Sequence, residues 1–182
     1  MNNHKKSIKL IKDSDFSVKK LKTFNGHEGV GANAEIWFKR KKVADFIDEG
    51  NGGEPYVYYV DENKFLLLEF IETLPEYSQA EEYSDSDYDW DEERKPWAAN
   101  DVINAIVHVA EERKEFKKTL RKVVGLKNGE ILTWKYKSSE LDKELNHKGK
   151  SIPLHECLKL TGVKCLNLLP EDEAFELLRK HG

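Results

Sequence analysis

AEIWFKRKKVADFIDEGNGGEPYVYYV, residues 34–60, is the stretch on which the fold turns. Successive strand side chains point to opposite faces, so Ala34, Ile36 and Phe38 share one face of a first strand. Val43, Asp45 and Ile47 share one face of a second. KRKK (39–42) turns between them, and because it lacks an Asn-Gly pair a looser or type I turn is expected. Asp48–Gly53, DEGNGG, is a second turn rich in glycine. PYVYYV then supplies a third strand, aromatic and β-branched as strands prefer. The pattern predicts an antiparallel β-meander.

Working toward the N-terminus, NGHEGVGAN (25–33) reads as a loop. SVKKLKTF (17–24) reads as the continuation of the segment before it in the chain. SIKLIK (7–12) alternates apolar and basic residues, which predicts a short strand with a basic face. Toward the C-terminus, KFLLLEFIETL (64–74) fits neither the helical nor the strand period, and Pro75 ends it.

The clearest helix covers NDVINAIVHVAEERKEFKK, from Asn100 to about Lys117. Val102, Ile106, Val109 and Phe116, continued by Leu120 and Val123, form one apolar stripe. Asn100 or Asp101 is placed to cap it. A hairpin around Asn128-Gly129 follows. SSELDKELNHKG (138–149) reads as a short capped helix, and SIPLHECLKLTG (151–162) as another with Pro153 in its first turn. VKCLNLL is a short strand, and the segment from Pro170 a terminal helix. The fold class expected is α+β: an N-terminal antiparallel β-meander, a central amphipathic helix, and a rear hairpin with short C-terminal helices. The divisions are a β-rich front (1–75), an acidic connection (76–98) and an α+β rear (99–182). One compact domain overall is the alternative.

Of the 182 residues 35% are charged and 38% apolar, a mix that suits a water-soluble globular chain. Two cysteines, Cys157 and Cys165, make no secreted disulfide framework. No apolar run is long enough to span a bilayer, and the N-terminus lacks the apolar core of a secretory signal. A reducing cytoplasm and no membrane contact are therefore expected.

The net charge of −4 is unevenly spread. Glu76 to Glu93 holds nine acids and no Lys or Arg, while residues 1–22 hold seven lysines against two aspartates. Within EEYSDSDYDWDEE (81–93) the acids are Glu81, Glu82, Asp85, Asp87, Asp89, Asp91, Glu92 and Glu93, interleaved with Tyr83, Tyr88 and Trp90. A calcium loop of EF-hand type begun at Asp85 would need Gly at its sixth position and Glu at its twelfth; Trp90 and Pro96 stand there. In an extended chain the four aspartates would form a row spaced ~6.5 Å. That is commensurate with the phosphates of a DNA strand. A surface built to receive nucleic acid would accept such a row, with the aromatics as anchors. The bland alternative is a solvated acidic loop folded back on the basic N-terminus.

Two other surfaces compete. Lys5, Lys6, Lys9, Lys39, Arg40, Lys41 and Lys42 could neutralise phosphates, with Trp37, Phe38, Tyr56, Tyr58 and Tyr59 near for base stacking. Glu35, Lys39, Asp45, Asp48 and Glu54 could be stretched into a metal-dependent nuclease site, although alternation puts Asp45 and Asp48 on opposite faces. His155, Cys157 and Cys165 fall short of the four ligands of a structural zinc. No Ser-His-Asp order, phosphate-binding loop or dinucleotide fingerprint occurs. No catalytic residue, metal or cofactor is expected.

GHEGVGANAEIWFKRKKVADFIDEGNGGEPYVYY (26–59) and KKTLRKVVGLKNGEILTWKY (117–136) together resemble a loose group of small phage and prophage proteins. The shared features are a strand, a basic turn, a second strand, an Asp/Asn-Gly-x-Gly-Gly turn leading into aromatics, and a rear hairpin after a lysine-rich helix end. The resemblance covers about half the chain; the SIPLHECLKL region has no counterpart in it. It implies a mobile-element origin, and since the group has no assigned activity it implies no catalytic residues. The function expected is non-enzymatic: binding and inhibiting a host or toxin protein through the acidic surface, with nucleic acid as the second candidate partner.

Overall fold

The computed structural model describes residues 2–83 and 90–181. The protein is α+β. Its contacts divide it into two units, residues 1–111 and 112–182. The division falls inside the central helix.

The first unit begins with helix α1 (Asn3–Lys12), strands β1 (Phe16–Asn25), β2 (Val30–Phe38), β3 (Lys41–Asp48) and β4 (Tyr56–Tyr59), then helices α2 (Asp61–Ile71) and α3 (Gln79–Glu82). The four strands form one antiparallel sheet in sequential order, the expected meander. The central helix α4 (Ala99–Thr119) follows, and its part up to Glu111 belongs here. The core joins Ala34, Ile36, Val43, Ala44 and Phe46 of the sheet to Leu67 of α2 and Val102, Ile103, Ile106 and Val107 of α4.

Four local expectations are corrected. Residues 7–12 are helical, not a strand. Six residues fit both periods, but Asn2 caps the helix by accepting the Lys5 amide, and the buried positions, Ser7 and Ile11, stand a helical turn apart. The β2–β3 connection is a tight two-residue turn, Lys39-Arg40, with Lys39 at φ 52°. A non-glycine residue tolerates that left-handed conformation at modest cost. The inward face of β3 is Val43, as expected, with Ala44 and Phe46, while Asp45 and Ile47 are only half-buried. A bulge between the pairs Ile36↔Ala44 and Trp37↔Lys42 makes Val43 the extra residue, which shifts the phase of every later side chain. Asn100 lies inside α4, where its Oδ1 accepts the Tyr59 hydroxyl at 2.6 Å instead of capping the helix.

The turns at 26–29 and 49–53 interlock. Glu28 donates its amide to the Gly50 carbonyl at 2.9 Å. A Cβ on Gly26 would lie 2.4 Å from the Glu49 carbonyl oxygen, so only glycine permits this approach.

In the second unit β5 (Lys122–Lys127) and β6 (Glu130–Lys137) form the expected hairpin, with Asn128 and Gly129 both at positive φ. Strands β7 (Glu144–His147) and β8 (Lys150–Pro153) replace the helix expected over 138–149. Only Ser138–Glu140 is helical, a single 3-10 turn. Lys148 (φ 53°) and Gly149 (φ 80°) make a second primed-type turn, a signal the Lys-Gly pair hid. Helix α5 (Leu154–Leu160), strand β9 (Lys164–Cys165) and helix α6 (Glu171–His181) complete the unit. Its apolar clusters gather Val123, Leu154 and Leu158, and Phe116, Val124, Leu166 and Phe175.

Candidate interaction surface

The acidic connection is anchored at its base. Tyr77 and Lys95 pair as an antiparallel bridge, exchanging amide-to-carbonyl hydrogen bonds of 3.1 and 2.8 Å. Inside that bridge Ser78 caps α3, its hydroxyl accepting the Glu81 amide. Ala80 donates its amide to the Asp91 carbonyl at 3.1 Å, and the rings of Tyr83 and Trp90 stack with centroids 4.5 Å apart. Arg94 reaches Glu81 Oε1 at 3.3 Å. Asp91 Oδ1 accepts the Glu93 amide at 2.8 Å.

Helix α1 packs on this base, but through its polar N-terminus rather than its lysines. Asn2 Nδ2 donates to the Glu81 carbonyl at 2.7 Å and Asn3 Nδ2 to the Glu76 carbonyl at 2.9 Å. The His4 ring stacks on Trp97, centroids 5.4 Å apart, and tilts against Tyr77. Burial lowers the His4 pKa, and the nearby Glu82 and Glu81 charges only partly oppose it. Burial and the same Glu82 hold the Tyr77 phenol up at about 12.

The expected site residues therefore fall into three sets. Glu81 and Glu82 lie on α3 and are half-buried, with Glu81 turned to Arg94. Asp91, Glu92 and Glu93 are exposed, as is Tyr83, while Trp90 is half-buried. Asp85, Asp87, Tyr88 and Asp89 lie outside the described residues. The supporting residues that the sequence reading passed over are Asn2, Asn3, His4, Tyr77, Arg94, Lys95 and Trp97. The one sequence signal for them is the aromatic on either side of the acidic run, Tyr77 before it and Trp97 after.

The basic candidates are distributed differently. Lys5, Lys6 and Lys9 are exposed on α1, and Arg40 and Lys41 are exposed at the β2–β3 turn. Lys39 reaches Asp15 at 3.2 Å, and Lys42 reaches Asp45 at 2.7 Å and Glu35 at 3.4 Å. Two of the four turn charges are thus balanced by carboxylates, Lys39 by Asp15 just before β1 and Lys42 by Glu35 and Asp45 of the sheet.

Glu35 stands on the outer sheet face, taking hydrogen bonds from Lys20 at 2.8 Å, Trp37 Nε1 at 3.2 Å and Lys42 at 3.4 Å. The Lys20 bond, chiefly, lowers its pKa to about 2. The carboxylate proposed for a nuclease site is thereby committed to three donors. Among the described residues no group of three or more His, Cys, Asp or Glu is arranged to hold a metal ion. His155 hydrogen-bonds the Leu141 carbonyl at 3.1 Å, and Cys165 is buried. Among the described residues no helix is long and apolar enough to cross a membrane.

No family model, curated protein or solved structure matches the chain, so the likeness to phage proteins rests on the quoted residues alone.

Proposed function

We propose that the chain is a non-enzymatic binding protein of a mobile element that engages and inhibits a host or toxin protein through the acidic loop. The observation that carries this reading is the built base of the loop. A solvated tether needs no strand bridge, capped helical turn or stacked aromatic pair at its ends. Here the bridge encloses eight of the nine acids between Glu76 and Glu93, the capped turn carries two of them, and the stacked pair encloses three. Fixing the two ends of a charged loop reduces the ordering entropy lost on binding, which favours a surface used for recognition. Charge of one sign on one loop also steers a basic partner and speeds encounter. The partner chemistry is a basic groove of the kind that receives nucleic acid.

The test is affinity capture from nuclease-treated host lysate at low and high salt. Wild type is compared with a variant carrying Asn at 85, 87, 89 and 91. A stoichiometric protein held at low salt, released at high salt and lost in the variant is the expected result. Equal behaviour of the two baits would make the loop a solvated connection. Direct binding of nucleic acid by both would move the function to the basic residues of α1 and the β2–β3 turn.

A further inference from the structure

At one end of the first sheet, two apolar patterns break at the same place. The inward face of β3 runs Ala44, Phe46 and then Asp48, so a carboxylate occupies the next core-facing position. On α4, Asn104, Val107, His108 and Glu111 share a face, placing three polar residues beyond the buried Ile103 and Ile106. These two edges line a cavity of about 310 Å³, with Ala32, Phe46 and Val107 as apolar wall. Its volume lies in the range of small-ligand sites. A fold that gives up core positions on two elements at one spot usually does so for function.

The polar lining of the cavity is Asp48, Asn104, Glu111 and the exposed His108, so two carboxylates and an amide oxygen supply acceptors beside one imidazole. Asp48 spends Oδ1 on the Gly50 amide at 2.8 Å, which fixes the carboxylate by the second glycine turn. A carboxylate has further acceptor sites. The Asn104 Oδ1 is shut off from solvent and takes no hydrogen bond among the described residues, an arrangement that costs stability unless a donor arrives. Glu111 adds a second carboxylate, and no Lys or Arg lines the cavity. Acceptors and negative charge around an apolar wall match a donor-rich cation on a short hydrocarbon stem.

We propose that this cavity binds an organic cation, an ammonium or guanidinium group carried on an apolar stem. The same chemistry comes from a free amine or from a Lys or Arg side chain of a partner, and it is independent of the acidic loop. The test is a titration of isotopically labelled protein, followed by amide resonances, with n-butylamine, n-butylguanidinium, and N- and C-terminally blocked Gly-Lys-Gly and Gly-Arg-Gly peptides. Butyrate is the control of opposite charge. Saturable shifts at Ala32, Phe46, Val107 and Asn104, absent with butyrate, are expected. Asp48→Asn keeps the acceptor for the Gly50 amide and removes the charge, so it should weaken binding about tenfold. Asn104→Leu, tested in parallel in case the first variant misfolds, should do the same. The four-Asn loop variant should bind the amines as wild type does. Tighter binding of the peptides assigns the site to a partner side chain, and tighter binding of the small cations to a free amine. No saturation by about 10 mM, a weak limit for so few ligand atoms, would overturn the proposal. So would shifts centred away from the cavity, or a folded variant with unchanged affinity.

Discussion

Tyr83 and Trp90 stack with ring centroids 4.5 Å apart, at the two ends of the stretch that carries Asp85, Asp87 and Asp89. An aromatic pair of this kind contributes about 0.5–1.5 kcal/mol beyond its buried area. Together with the Ala80 to Asp91 hydrogen bond it holds the ends of an acid-rich segment side by side against mutual repulsion.

Tyr83→Ala should loosen the base without unfolding the sheet. The amide of Ala80 should exchange with deuterium faster, by a few-fold to about tenfold, as expected for losing one aromatic pair. Amides of β2 and β3 should keep their protection. Unchanged exchange at Ala80 would show that the backbone bridge alone closes the loop.

Glu35 predicts an acid-sensitive sheet. Its hydrogen bonds, the one from Lys20 first, depress its pKa from the ordinary carboxylate value to about 2. The unfolded chain therefore binds this proton first on acidification. The stability Glu35 contributes is present above about 4.5 and drains away as pH falls toward about 2. Denaturant midpoints measured across that window should fall more steeply for wild type than for Glu35→Gln. Parallel curves would show that the three donors find no more in the carboxylate than in an amide.

The meander, the central helix and the Asn128-Gly129 hairpin were all legible from periodicity and turn residues. What escaped was whatever depends on a single residue of phase or on a distant partner. The bulge at Val43 inverts the face on which Asp48 lies, and no local pattern announces a bulge. Residues 7–12 alternate well enough for a strand, and the Asn2 cap together with the burial of Ser7 and Ile11 decides for a helix. The acidic run was visible as charge. Its base was not, because His4, Tyr77 and Trp97 meet only after the chain has folded. The cavity at Asp48 and Asn104 was invisible for the same two reasons.

Asn167 should be the most sensitive polar position of the second unit. Its Oδ1 accepts the Val124 amide at 2.7 Å, and its Nδ2 donates to the carbonyls of Leu120 and Lys122, both at 2.9 Å. One side chain thus satisfies three backbone groups where the chain leaves α4 and enters β5. Asn167→Ala leaves the amide of fully buried Val124 without its acceptor, at a cost of about 1–3 kcal/mol. Asn167→Asp keeps that acceptor but loses both donated bonds, so it should also destabilise. Thermal melts of the two variants check this, and a wild-type melting temperature for Asn167→Ala would refute the bracket.

Tyr77 ties the acidic loop to alkaline pH. The phenol is 3% exposed, its ring lies 4.5 Å from that of Trp97, and burial, assisted by Glu82 and Asp101, raises its pKa to about 12. In the unfolded chain the phenol ionises near about 10. A folded pKa above the unfolded one means that the folded state resists losing the proton. The contribution is therefore full below about 10 and lost as pH rises toward about 12. Tyr59 and Tyr83 are shifted in the same direction, so the effect is isolated by difference against Tyr77→Phe. Stability should fall across this window more for wild type than for that variant, and the variant should lack the latest-titrating tyrosinate in the absorbance curve. Because Tyr77 also forms the backbone bridge to Lys95, its ionisation should open the base of the loop, and amide exchange at Lys95 should accelerate in the same pH window. If Lys95 keeps its protection while Tyr77 titrates, the ring and the bridge are energetically separate, and the backbone pairing alone holds the acidic segment in place.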